Sequence, residues 1–157
     1  MGRGLPLLRR PCDLATVCTA VLQELELVHE GRALRYQPGD DGKGSWDPGR
    51  LSQVVQNLLS NAFHHSPAGS PISLVWRSAD SGCIELAVHN EGPPIAEEFV
   101  PHLFEPFRRG KVRGGGTQGF GLGLFIVREI VRAHGGTVGV QSSAADGTTF
   151  TVRLPRA

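Results

Sequence analysis

The stretch GTQGFGLGLFIVREIV, residues 116–131, limits what this chain can fold into more than any other segment. Six of the ten residues 114–123 are glycine, and they run directly into an apolar stretch with helical spacing. So local a cluster is not general flexibility. Glycines ahead of a helix let backbone N–H groups approach an anion, and the helix start adds its positive end. Two familiar phosphate loops are excluded. No GxxxxGK[ST] occurs, and Gly42-Lys43-Gly44 lacks both the hydroxyl residue and a following helix. The dinucleotide fingerprint needs a strand before its first glycine and a βαβ unit around it, whereas a loop is expected before Gly119, Gly121 and Gly123.

The rest of the chain must support that loop. Its 157 residues suffice for one domain with a sizeable core. A formal net charge of +1 gives no polyanion-binding surface, so nucleic acid is not an expected partner. No apolar run approaches the roughly 18–20 residues that span a bilayer, so direct membrane insertion is not expected either. Cys12, Cys18 and Cys83 form no CxxC pair, which indicates neither a disulfide framework nor a zinc site; a cytoplasmic location is the default.

Helical spacing over residues 13–27 predicts a helix with Asp13 as N-cap, followed by a strand at 33–36 and a short one ending at Trp46. Asp47-Pro48 starts a second helix that stops before Pro67. Strands are expected at 72–77 and 83–89, a short helix at 97–104, and a basic glycine-rich loop at 108–120. Gly135-Gly136 ends the last helix, and His134 just before it reads as a helix C-terminal histidine favoured by the dipole. A hairpin at 137–141 and 148–154 closes the chain. This order predicts an α/β fold, a two-layer sandwich with helices on one face of a mixed sheet.

Two segments carry candidate chemistry besides the glycines. On the second helix, Leu51, Val54, Val55, Leu58, Leu59 and Ala62 make one apolar arc, and Gln53, Asn57, Asn61 and His64 form a stripe along its edge. Half-buried carboxamides there either hydrogen-bond to neighbouring backbone or offer a neutral oxygen to Mg²⁺, which normally brings its charge balance as nucleotide phosphates. In VHNEGPPI, residues 88–95, Asn90 ends a strand and Gly92 follows in a tight turn. The pair either closes the strand as an Asx-turn or lets a short acceptor read an exocyclic amine. Phe104 and Phe107 read as packing anchors before a cationic loop of Arg108, Arg109, Lys111 and Arg113.

Four segments then stand in the order and spacing of a known family. NLLSNAFHHSP resembles the N box, VHNEGPPI the first glycine box, LFEPFRR the F box and GFGLGLFIVREIVRAHGG the second glycine box of sensor histidine kinase catalytic domains. These domains share a superfamily with gyrase, Hsp-type chaperone and MutL ATPases. The resemblance implies the Bergerat sandwich, with about five main strands in a mixed, mostly antiparallel sheet, three main helices on one face and a mobile ATP lid. It implies that residues 11–157 are the catalytic domain and residues 1–10 a linker remnant. ATP and Mg²⁺ are the implied cofactors. Asn61 would ligate Mg²⁺, Asn57 would support it or touch phosphate, and His64 stands where a lysine often meets phosphate; these three are the implied catalytic set. His65 would lie near adenine or ribose, Asn90 would accept from the adenine amino group, Gly92 would allow the turn below the base and Ile95 would line its pocket. Arg108 and Gln118 would contact the terminal phosphates, with Gly119, Gly121 and Gly123 forming the lid. Pro94, Phe104, Phe107, Phe120, Leu122, Leu124 and Thr149 complete the implied ATP-binding set.

Two departures from the family pattern matter. Asn90 replaces the usual Asp, which keeps the hydrogen bond and removes its charge assistance. No phosphoacceptor motif is present: His29-Glu30-Gly31-Arg32 is only a partial echo, without the helical leucine and proline. The resemblance therefore implies phosphoryl donation to a histidine on a separate dimerisation and phosphotransfer domain of the same longer kinase, and indirectly a response-regulator receiver domain. An anti-sigma-factor-type serine kinase and a pseudokinase scaffold are the alternatives.

Overall fold

The computed structural model describes residues 5–79, 82–106, 108–111 and 117–157, with the stretches at 108–111 and 117–121 described as backbone alone. In chain order, β1 (Arg10–Asp13) is followed by α1 (Leu14–Val28), β2 (Leu34–Gln37), β3 (Lys43–Trp46), α2 (Pro48–His65), β4 (Ile72–Ala79) and β5 (Cys83–Asn90). Then come β6 (Arg108–Lys111), β7 (Thr117–Gly121), α3 (Gly123–Ala133), β8 (Thr137–Ser143) and β9 (Gly147–Pro155). A five-stranded sheet has the order β2-β4-β5-β9-β8. Only the β2–β4 pair is parallel; the other three pairs are antiparallel.

Strand alternation decides which face meets the helices. Ile72, Leu74 and Trp76 of β4, Ile84, Leu86 and Val88 of β5, and Phe150, Val152 and Leu154 of β9 are all buried, while the residues between them are not. Against them pack the apolar stripes of α1, α2 and α3, the α2 stripe running from Leu51 to Phe63. Each such fully buried side chain contributes about 1.5–3 kcal/mol. The sandwich expected from the element order is the one observed.

Local chemistry sets the helix ends. Asp13 accepts from the Ala15 N–H at 2.9 Å to start α1. Asp47 accepts from Arg50 N–H at 3.2 Å, and its other oxygen takes the Leu8 N–H at 3.0 Å, tying the N-terminal segment to α2. At the end of α3, Gly135 has φ +80° and the Gly136 N–H returns to the Val131 carbonyl at 2.9 Å.

His134 is not an exposed helix-end cation. It is 1% exposed, its Nδ1 lies 2.8 Å from the Ile130 carbonyl, and its Nε2 accepts the Asp47 N–H at 3.1 Å. Accepting at Nε2 puts the ring proton on Nδ1, so the neutral ring bolts the end of α3 to the start of α2. Burial pushes its pKa below 6.5, partly offset by the bond to Ile130.

Three stretches differ from expectation. Residues 97–104 form turns and one 3-10 turn at Val100–His102 rather than a helix, since Pro101 supplies no N–H and all but one of the backbone bonds there span three residues. The backbone at 108–111 and 117–121 is not simply a loop: β6 and β7 pair antiparallel, with a bulge between Arg108 and Arg109. A strand therefore does reach the glycines, but from an antiparallel pair and not from a βαβ unit. Finally, Arg10 already pairs with Trp46 in a β1–β3 ribbon. Among the described residues, no helix is long and apolar enough to cross a membrane.

Candidate functional site

Along α2, the polar edge beside the buried arc turns toward the start of α3. Asn57, Ser60, Asn61, His64 and His65 line a pocket of about 180 Å³ together with Gly123 and Leu124. Asn57 is held in place by its Nδ2, which donates to the Gly123 carbonyl at 3.2 Å. That bond leaves Asn57 Oδ1 as the group able to accept or ligate.

α3 begins at Gly123, with Leu122 as N-cap in helical conformation and no side chain capping it among the described residues. Its first-turn N–H groups therefore lack the usual side-chain acceptor, and no acidic residue stands in that turn. One wall of the pocket is neutral carboxamide; the other is the positive end of a helix. An anion suits this arrangement. Among the described residues no group of three His, Cys, Asp or Glu could hold a metal ion. A divalent cation here would need phosphate oxygens for charge balance, with a carboxamide oxygen as its protein ligand, and that donor set fits Mg²⁺.

A second cluster lies at the end of β5. Asn90 is only 3% exposed, and its Nδ2 donates to the Glu91 carbonyl at 2.9 Å. Oδ1 is thereby oriented as an acceptor without another partner among the described residues. Gly92 follows at φ +132°, and a Cβ there would stand 2.8 Å from the His65 carbonyl. His65 thus joins the two clusters, its side chain lining the α2 pocket and its carbonyl backing the glycine turn. The turn is pinned from the other side: Ile95 N–H donates to Ser142 Oγ at 2.9 Å, and Ser142 Oγ lies 2.7 Å from Thr148 Oγ1.

Thr149 is not on this side of the sheet. It pairs with His89 and alternates with the buried residues of β9, whereas Thr148 is buried opposite Asn90. Sequence reasoning missed Thr148, although Phe150, Val152 and Leu154 mark its face by period two. Ser60 and Ser142 were also missed; Ser60 sits four residues before His64 on the same helix edge. Phe104 meets Phe150 edge-on, centroids 6.0 Å apart, as a packing anchor. Leu124 is buried, while Leu122 is 41% exposed and Pro94 is exposed. Phe107 lies outside the described residues, as do the side chains of Arg108, Gln118 and Phe120. Gly119 and Gly121 appear as β7 backbone paired with Arg109 and Arg108.

A helix-backed mixed sheet with an uncapped helix facing a carboxamide stripe marks a class of nucleotide-binding sandwich. The chain belongs to the family of histidine kinase-, DNA gyrase B- and HSP90-like ATPases, whose sequence model matches residues 46–157. It is 38% identical over 151 residues to the sensor histidine kinase CusS of Escherichia coli O157:H7, covering 94% of this chain and 30% of that protein. To the adaptive-response sensory kinase SasA of Synechococcus sp. (strain CC9311) it is 35% identical over 146 residues, covering 91% and 38%. The chain thus spans about a third of the length of these curated relatives. Among solved structures, the mycobacterial sensor histidine kinase MprB superposes with a TM-score of 0.82 at 27% identity, covering 94% of this chain and 97% of that one. Full-length ShkA in complex with AMPPNP also gives 0.82, at 28% identity, covering 99% and 32%. The counterpart of this chain in such proteins is the kinase catalytic ATPase domain.

Proposed function

We propose that this chain binds MgATP and presents its γ-phosphoryl group to a histidine on a separate dimerisation and phosphotransfer domain of the same longer kinase, in two-component signalling. A response-regulator receiver domain would then take the phosphoryl group from that histidine. The observation that carries this reading is the pocket itself, where the open N-terminus of α3 faces Asn57, Asn61 and His64.

Residues 11–157 would form the catalytic unit and residues 1–10 its joint to the preceding domain, in a cytoplasmic setting. Asn61 would ligate Mg²⁺, which when bound neutralises charge on the phosphate oxygens. Asn57 would keep α3 at the distance the phosphates need, His64 would meet phosphate, and the helix N–H groups would receive its oxygens. At the other end, Asn90 Oδ1 would accept from the adenine amine and Ile95 would cover the ring. Arg108 and Gln118 would contact the terminal phosphates. Nothing in this scheme requires a general base from the chain, because the acceptor imidazole attacks the phosphorus itself.

Calorimetric titration of ATP with and without Mg²⁺ tests the reading. Wild-type affinity should lie in the ~micromolar to millimolar range and improve with the metal. Asn61→Ala should abolish the metal's contribution and lower phosphotransfer to an added dimerisation domain by about a hundredfold. Unchanged phosphotransfer by that variant would refute the metal assignment. Stable label from γ-labelled ATP on one of the chain's own histidines would refute the need for a separate acceptor.

A further inference from the structure

Residues 29–32 take no part in the phosphate pocket, yet they pack behind the wall of the base-side turn. α1 ends with the His29 N–H on the Leu25 carbonyl, and the chain reverses through Gly31 at φ +84°. This reversal stacks the His29 ring on Phe63, centroids 4.0 Å apart and 7° from parallel, and sets the Arg32 guanidinium over the same ring at 5.2 Å. From there Arg32 Nη2 reaches Ser66 Oγ at 2.7 Å, the Ser70 carbonyl at 3.4 Å and the Pro67 carbonyl at 3.5 Å. Its Nε is buried without a partner among the described residues, so the side chain is oriented for the 66–70 turn rather than for its own best solvation.

That turn is what Gly92 rests on. A Cβ at Gly92 would meet the His65 carbonyl at 2.8 Å, Pro67 Cδ at 3.3 Å and Ser66 Cα at 3.7 Å. Any outward movement of residues 66–70 would open a gap under Gly92 and let Asn90, two residues earlier, shift with it.

We propose that Arg32 is a positioning residue for nucleobase recognition: it clamps the 66–70 turn against Gly92 and thereby sets where Asn90 Oδ1 stands. The inference rests on the reading that Asn90 receives the exocyclic amine of the base. A planar guanidinium suits the task, because one side chain lies on an aromatic face while its Nη2 reaches a hydroxyl and two carbonyls. Its charge also stands at the C-terminal end of α2, where a cation is favoured. Lysine offers a point charge without the fork. Phe63, Ser66, Pro67 and Ser70, which Arg32 touches, do not line the phosphate pocket, although their neighbour His65 does, so the effect should fall chiefly on the base.

ATP and GTP affinities of the full chain, measured calorimetrically with Mg²⁺, test the proposal. Arg32→Ala should reduce the preference for ATP over GTP by about tenfold through weaker ATP binding, with GTP changed less than about twofold. Arg32→Lys should fall between wild type and Arg32→Ala. Ser66→Ala, which removes the shortest of the three bonds and leaves Arg32 on Phe63, should shift the preference the same way by a smaller factor. Equal losses for the two nucleotides, or a lowered melting temperature with the preference intact, would overturn the positioning role. Asn90→Ala separates the two layers. If it keeps the preference, the base reading itself falls. If it loses the preference while Arg32→Ala and Ser66→Ala retain it, only the role of Arg32 falls.

Discussion

The Asn57 carboxamide donates from Nδ2 to the carbonyl of Gly123, 3.2 Å away and 66 residues later in the chain. The bond fixes the start of α3 against α2 at the point where both line the pocket. It also orients Asn57, since a nitrogen must face the carbonyl and the oxygen must face away. A single amide therefore has a structural half and a ligand half.

Asn57→Asp separates those halves. It keeps an oxygen for the site but sets a carboxylate against the Gly123 carbonyl. Asn57→Ala should cost about 1 kcal/mol and Asn57→Asp more, toward about 3 kcal/mol. Urea unfolding of both variants measures the order. An Asp variant as stable as the Ala variant would show that the bond does not hold the helices together.

Asn90→Asp should move binding and folding in opposite directions. A carboxylate makes a charge-assisted bond to an amine, so ATP should bind several-fold tighter. The same change removes the donor to the Glu91 carbonyl and should destabilise the free domain by about 1 kcal/mol. Titration and thermal melts of one preparation read both signs.

Gly147 stands at φ +77°, and a Cβ there would collide with the Asn90 carbonyl. Gly147→Ala should destabilise the domain by about 1–3 kcal/mol and displace Asn90. Loss of ATP affinity beyond what the same destabilisation causes at a distant surface position is the expected result.

His134 should make stability depend on pH in one direction. Its folded-state pKa is lowered from 6.5 by burial, so the unfolded chain takes up a proton first as pH falls. The neutral ring's contribution is therefore complete above about pH 6.5 and is lost as pH falls through the folded-state pKa. Denaturant unfolding at about pH 7.5 and pH 5 should show a smaller pH-dependent loss for His134→Gln than for wild type. An equal loss would mean that His134 protonation does not govern this range.

How much of this was legible differed from element to element. The start of α2 was readable because an Asp-Pro cap and a 3.6-residue stripe are local chemistry. Strand phase was harder: Thr148 and Thr149 are equivalent in composition, and only the apolar residues two, four and six positions on distinguish them. The pairing of 108–111 with 117–121 was not readable, since glycine-rich strands carry no alternating side-chain signal. At 97–104 a short helix was expected, and Pro101 leaves only a 3-10 turn there.

The sequence by itself determined the layers, the family and the residue types at the site, because periodicity, caps and motif spacing are properties of neighbouring residues. Tertiary structure decided which of those residues act on one another. The Asn57 bond to Gly123, the His134 bond to Asp47 and the Arg32 hold on residues 66–70 join parts of the chain 34 to 87 residues apart. Such contacts depend on how three helices stack on one sheet face, and no local spacing encodes them.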